Sequence, residues 1–200
     1  MTLLSVVNEV CDIVSLSRFE SVYGSAEPNA QTMVELAQEA GDEIARRVDW
    51  QQTLKQHTCT ASPENFPADY QRLTPGGGIR TSTGIFARPV NNSGQWSVIS
   101  VVPSTQPYYF IKANQFLFSP ADAADAAVID YVSKNWILND PSGEASVWAA
   151  DDDTTLFPER LLVKGIVWRW KRQKGLPFED NLAEFEADLV QEINADRGTT

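Results

Sequence analysis

Cysteine is scarce in this sequence. Only Cys11 and Cys59 occur among 200 residues, too few for a disulfide-stapled secreted scaffold, so synthesis in a reducing cytosol is expected. Histidine is scarcer still, with His57 alone. One histidine and two cysteines do not make an ordinary four-ligand structural zinc site, so neither a metal nor a cofactor is expected. No apolar run approaches the ~20 residues needed to cross a bilayer. The opening residues 1–10 lack a basic region and gain polar residues at helical spacing, so no signal peptide is expected. Positive charge is in short supply as well. Sixteen Lys and Arg face 27 Asp and Glu, for a net charge of −11 and an isoelectric point near 4.5. That balance argues against a free protein that seeks nucleic acid by bulk electrostatics. Catalytic signatures are missing too. There is no G-x-x-x-x-G-K-[ST] loop, since Gly76-Gly77-Gly78 runs into Ile79-Arg80, and no G-x-S-x-G elbow.

What is present is an ordinary globular balance, with 42% hydrophobic and 22% charged residues. The length suits one domain, or a small core carrying a sizeable insertion. Residues 3–14 place Leu3, Val6, Val7, Val10, Cys11 and Val14 on one side, which predicts an amphipathic helix. A loop is expected over residues 15–27. Pro28 then suits the first turn of a second helix, over about residues 29–49, whose stripe is Met33, Ala37, Ala40, Ile44 and Val48. Its outer face carries Asp42→Arg46 and Glu43→Arg47 in the favourable order at i,i+4.

From residue 50 to about 134 the period changes. Strands are expected over residues 53–60, 95–102, 108–111, 115–118 and 127–132, because these runs hold β-branched and aromatic residues between prolines and Asn114. Gly76-Gly77-Gly78 and Asn91-Asn92-Ser93-Gly94 mark turns. A small antiparallel β unit is the simplest account. Helix returns from Pro158-Glu159 to about residue 174, stopped by Gly175 and Pro177. A last helix carries Phe178, Leu182, Phe185, Leu189 and Ile193, and the end, 198–200, is expected to fray. The predicted fold is α+β: a bundle of about four helices (residues 1–50 and 155–200) with an antiparallel β insertion (about 51–135) between the second and third helix, all in one domain, 1–200.

Few residue groups could carry chemistry. His57 and Cys59, two apart on one strand, share a face, so a Cys–His nucleophile pair is sterically conceivable. The plainer reading is a satisfied strand histidine. Asp151-x-Asp153-x-Thr155 hints at calcium, but the glycine and closing glutamate of such a loop are missing. A solvated acidic turn upstream of a helix start fits better. No catalytic, cofactor-binding or metal residue is therefore assigned.

The last two helices say more. Between residues 158 and 174 stand Arg160, Lys164, Arg169, Lys171, Arg172 and Lys174 against Glu159 alone. Between 179 and 196 stand Glu179, Asp180, Glu184, Glu186, Asp188, Glu192 and Asp196, with no base. Such a pair suits an antiparallel hairpin, and equally a ring in which one subunit's basic helix meets its neighbour's acidic one. Trp168-Arg169-Trp170-Lys171-Arg172 combines the residue types enriched at interface hot spots. Stacking on single-stranded nucleic acid and plain core packing are its rival readings. At 200° apart on a helix, one tryptophan can be core while the other faces elsewhere. Arg160, Lys164, Trp168, Arg169, Trp170, Lys171, Arg172 and Ile193 are the candidate interface residues.

The order of pieces resembles a known family. The carrying features are the helix over residues 3–14 and Ile44-Ala45-Arg46-Arg47-Val48-Asp49-Trp50-Gln51, then Phe66-Pro67-Ala68-Asp69-Tyr70-Gln71-Arg72-Leu73 with its Pro-x-Asp-aromatic turn. Tyr108-Tyr109-Phe110-Ile111, Phe116-Leu117-Phe118-Ser119-Pro120 and Tyr131-Val132-Ser133-Lys134-Asn135-Trp136 follow. The last are Asp151-x-Asp153, Phe157-Pro158-Glu159-Arg160-Leu161-Leu162 and Trp168-Arg169-Trp170-Lys171. Over nearly its whole length the chain is similar to the head-to-tail adaptor (connector) proteins of tailed phages, the group that includes tail tubular protein A and packaged-DNA stabilisation proteins. The resemblance implies a non-enzymatic virion protein of the neck, made in the bacterial host cytoplasm. It implies a helical bundle with a β-rich insertion, in a ring of twelve copies under the portal protein. The implied partners are the portal, neighbouring copies and a tail or nozzle protein, with packaged DNA passing through unbound and no membrane. An acidic channel suits that passage, since it repels the phosphate backbone. Other readings are a stopper or tail terminator, a nucleic-acid-binding protein acting through residues 168–174, or a small hydrolase using Cys59 and His57.

Overall fold

The computed structural model describes residues 1–75, 78–139 and 143–198; of the expected frayed end, Thr199 and Thr200 lie outside the described residues. The chain divides into two compact units. One is formed by Met1–Thr53 with Lys134–Thr200, the other by Leu54–Ser133.

The first unit contains α1 (Leu3–Val14) and α2 (Pro28–Arg47). Thr2 caps α1 by accepting from the Ser5 amide at 3.3 Å, and Pro28 opens α2, where its missing N–H costs nothing. After the second unit come α4 (Glu159–Gln173) and α5 (Glu179–Asp196); Gly175, at φ +68°, ends α4. α4 packs against α1, α2 and α5. A helix surrounded in this way must be apolar nearly all round. Leu161, Leu162, Val163, Ile166, Val167, Trp168 and Trp170 are accordingly all buried. Gly165 lets α2 come close, since a Cβ there would stand 3.1 Å from the Ala40 Cβ.

The same unit holds a small antiparallel sheet, ordered β10 (Thr154–Thr155), β8 (Ile137–Asn139), β9 (Gly143–Ala145). Beside it an aromatic cluster forms. Trp136 stacks on Phe157 at 5.3 Å and meets Trp148 edge-on at 5.2 Å. The Trp136 indole lies against Gly41, where a Cβ would fall only 2.0 Å from the ring, and its N–H donates to Asp42 at 3.0 Å.

The second unit has two sheets. One is ordered β1 (Leu54–Thr58), β7 (Val128–Ser133), β3 (Tyr70–Arg80); the other β2 (Glu64–Asn65), β6 (Gln115–Ser119), β5 (Tyr108–Lys112), β4 (Arg88–Val90). Ile79, Phe116, Ile129 and Tyr131 are central to its core. Tyr131, Ser133 and Lys55 all donate to Asp69, at 2.8 to 2.9 Å. The expected Pro-x-Asp-aromatic turn is closed by the Tyr70 amide donating to the Pro67 carbonyl at 3.0 Å.

Three findings correct the expected architecture of about four helices with one antiparallel insertion. The described residues hold five α-helices and three sheets, and one sheet lies in the helical unit. Residues 95–102, expected as a strand for their valines, belong largely to α3 (Ser93–Ile99). Asn92 supplies the cap that starts it, accepting from the Gln95 amide at 2.7 Å, and Trp96 stacks on Phe110, so capping and packing override β-propensity. Finally, β4 and β5 pair in parallel, which needs the crossover that α3 provides. The turn expected at Gly76-Gly77-Gly78 falls on Gly76 and Gly77, which lie outside the described residues; the register of β3 against β7 shifts between Leu73 and Gly78.

Candidate functional site

The five bases of α4, and Lys174 just past its end, can act on an outside partner only to the extent that the chain itself leaves them free. Near the start of the helix, Arg160 reaches Asp188 at 2.8 Å and Glu192 at 3.6 Å, and Lys164 reaches Asp188 at 2.6 Å. Both acids belong to α5, so the charged faces of the two helices meet within one chain. Asp188 titrates below its usual range, first because Lys164 donates to it, against some burial, and then through the charges of Lys164 and Arg160.

Arg169 is the extreme case, with a side chain only 1% exposed. Its guanidinium donates to the Gly165 carbonyl at 2.9 Å and to Glu43, and its Nε lies 3.5 Å from Glu39. Burial pulls its pKa down while both glutamates of α2 push it back up. A guanidinium remains charged under such conditions because its ordinary value is so high. Lys171 donates to Asn181 at 2.7 Å. Arg172 is half exposed, 4.0 Å from Glu39, with its guanidinium 4.9 Å over the Trp168 ring. Lys174 sits 4.4 Å over Trp170.

Trp168 and Trp170 both lie in the core, at 6% and 4% exposure. The 200° between them does not expose one, because α4 is enclosed on more than one side. Ile193 is partly buried against the same core. Of the eight candidate interface residues, then, the two tryptophans and Arg169 are inside, while Arg160, Lys164 and Arg172 keep substantial exposure.

The acidic run does structural work. Asp151 accepts from Ser21 Oγ at 2.6 Å and from the amides of Val22 and Tyr23 at 3.0 and 2.8 Å, tying down the loop after α1. Asp153 accepts from the amides of Ala149 and Ala150 and is 3% exposed, so it is buried instead of solvated. These lone pairs point at neighbouring N–H and O–H groups and do not converge on a cation.

His57 and Cys59 stand at the end of β1 with a third group that sequence spacing did not suggest. Glu64 of β2 places Oε1 3.1 Å from His57 Nε2 and accepts from it when that nitrogen carries the proton. Burial, then the charge of Glu64, pushes the Cys59 thiol up to about 12. It is therefore a protonated thiol at neutral pH, the opposite of an activated nucleophile. Glu64, Asp69 and the Gly41–Trp136 seat were missed by sequence reasoning. For Asp69 the Pro-x-Asp turn was a signal. For Glu64 only its position five residues beyond Cys59, across a proline turn, could have served.

The SU10 adaptor protein family model matches residues 1–200 of the chain. No curated protein matches it.

Proposed function

Because the chain belongs to the SU10 adaptor protein family, a family of phage head-to-tail adaptors, we propose that it is a virion subunit forming a ring beneath the portal. The ring, of twelve copies in this reading, extends the DNA channel and gives the tail or nozzle protein its platform. The family match over the full chain carries the proposal. The site geometry agrees with an assembly role without catalysis: the single histidine is tied to Glu64 and Cys59 is held as a thiol.

DNA is a passenger in this account. A protein that grips duplex makes several phosphate contacts through free Lys and Arg. Here Arg160, Lys164 and Arg169 are neutralised by Asp188, Glu192, Glu43 and Glu39, within a chain of net charge −11. With Trp168, Trp170 and Arg169 given to the core, contact with the portal or a neighbouring copy falls to the exposed Arg160 and Arg172, the half-buried Lys164 and Lys171, and the end of α5 around Ile193.

Sedimentation of the isolated chain, alone and with purified portal protein, tests the proposal. The chain alone stays largely monomeric, since acidic copies repel one another, and co-sediments with the portal when it is added. Stable rings without portal, or no co-sedimentation with it, contradicts the reading. A fluorescence anisotropy titration with duplex DNA tests the passenger view. Binding tighter than about micromolar at physiological salt, lost when Arg172, Lys171 and Lys174 become Ala, contradicts it.

A further inference from the structure

We propose that His57, Cys59 and Glu64 form a binding site for a single thiophilic divalent cation of the zinc type, which ties the two sheets of the β unit together. The donor atoms of these three residues lie within 4.8 Å of one another. Bonds of about 2.0 to 2.3 Å in a tetrahedral site place donors roughly 3.3 to 3.8 Å apart. The His57–Glu64 edge is already 3.1 Å, and the longest edge closes with about an ångström of side-chain movement.

The carboxylate is held ready for such a role. Oε2 of Glu64 accepts from the Thr60 amide at 2.8 Å, the Thr60 hydroxyl at 3.2 Å and the Ala61 amide at 3.3 Å. Those bonds fix the plane of the group and leave Oε1 facing the His57 ring. Hydrogen bonds to the far side of a ligand are the usual means of orienting it toward a metal. Nitrogen, sulfur and oxygen donors together suit zinc and its neighbours better than calcium or magnesium.

The placement gives the ion a purpose. His57 lies on β1 and Cys59 directly follows it, in the sheet with β7 and β3, whereas Glu64 lies on β2, in the sheet with β6, β5 and β4. Binding replaces the direct His57–Glu64 contact with two bonds to the cation. The Cys59 thiol loses its proton to solvent as the sulfur–metal bond forms, and water completes the fourth position. The count of histidines and cysteines excluded a closed four-ligand site, and this three-ligand set differs from it by its carboxylate.

The test is a titration of the full, tag-free, metal-free chain with cobalt(II) chloride. One equivalent produces ligand-field absorption in the visible and a thiolate-to-cobalt charge-transfer band in the near ultraviolet, and zinc displaces both. Cys59→Ser removes the charge-transfer band, while His57→Ala and Glu64→Gln each weaken binding at least ~10-fold. A folded chain with no charge-transfer band, or a band that survives Cys59→Ser, overturns the proposal. If the variants fail to fold, alkylation of the unaltered chain decides instead. Zinc slows labelling of Cys59 but leaves Cys11 unchanged, and equal labelling of Cys59 with and without zinc overturns the site.

Discussion

The helical unit and the β unit solve the burial of polar groups in different ways. In the helical unit a basic helix runs through the middle, and its charges are met by carboxylates of α2 and α5, with Arg169 nearly sealed from water. In the β unit, the central carboxylate is Asp69, held by a lysine, a tyrosine and a serine. That unit also leaves large apolar side chains exposed in and just after α3, among them Val98, Val101 and Val102. The contrast teaches where specificity resides. The basic stretch that reads as a surface for partners gives Arg169 and both tryptophans to the helical unit's interior and pairs Arg160 and Lys164 with α5, whereas in the β unit three valines in and just after α3 stay exposed.

The largest expected effect sharpens the view of the helical unit as a tightly fitted core. Trp136→Ala is expected to destabilise by about 3 to 5 kcal/mol, measured by urea denaturation. Gly41→Ala alone costs about 1 to 3 kcal/mol or more, because its Cβ meets the indole. In the Trp136→Ala background the same change becomes neutral or stabilising, as alanine is the better helix former by about 0.8 to 1 kcal/mol. Additive costs break the account of that seat.

Next comes the charge inside it. Glu43→Ala leaves the Arg169 guanidinium buried with only the more exposed Glu39 nearby, at a cost of about 3 kcal/mol. Glu39→Ala, whose side chain is 57% exposed, costs below ~1 kcal/mol. Equal losses in the two variants show that the ion pair is not sealed.

In the β unit, Asp69→Asn weakens three hydrogen bonds and costs about 2 kcal/mol at neutral pH. Burial alone would raise the Asp69 pKa, but the bonds from Lys55, Tyr131 and Ser133 outweigh it and lower the folded value. Its contribution is therefore complete above the unfolded value near 4 and is lost as pH falls through the folded one. The difference in stability between parent and variant should shrink below about pH 4. A constant difference across the acid range contradicts the linkage. The smallest effect belongs to the uncommitted surface: Val101→Ser, at a side chain 76% exposed, shifts stability by no more than ~0.5 kcal/mol.

Helices were legible wherever one face was apolar at 3.6-residue spacing: α1 falls on residues 3–14, α2 and α4 lie within two residues of expectation, and α5 carries Leu182, Phe185, Leu189 and Ile193 of the expected stripe, with Phe178 at its cap. Short elements were not. β2 and β10 are two residues long, too short for any period to show, and α3 hid behind its valines although Asn92 and Gln95 carried a capping signal. Parallel pairing of β4 and β5 is a tertiary fact that local alternation does not encode. At the candidate interface, charge sign was legible and burial was not: Trp168 and Trp170 sit inside because three helices surround α4, which depends on contacts more than 100 residues apart, such as Glu43 with Arg169. Glu64 was invisible for a related reason, since only the meeting of two sheets brings it to His57.

Electron microscopy of the purified chain mixed with its portal protein tests the adaptor reading most directly. The account predicts particles in which a ring of this chain caps one end of the portal and continues its channel, with none formed by the chain alone. Portal particles that carry no added density at saturating chain, or chain bound as scattered monomers off the channel axis, would contradict it.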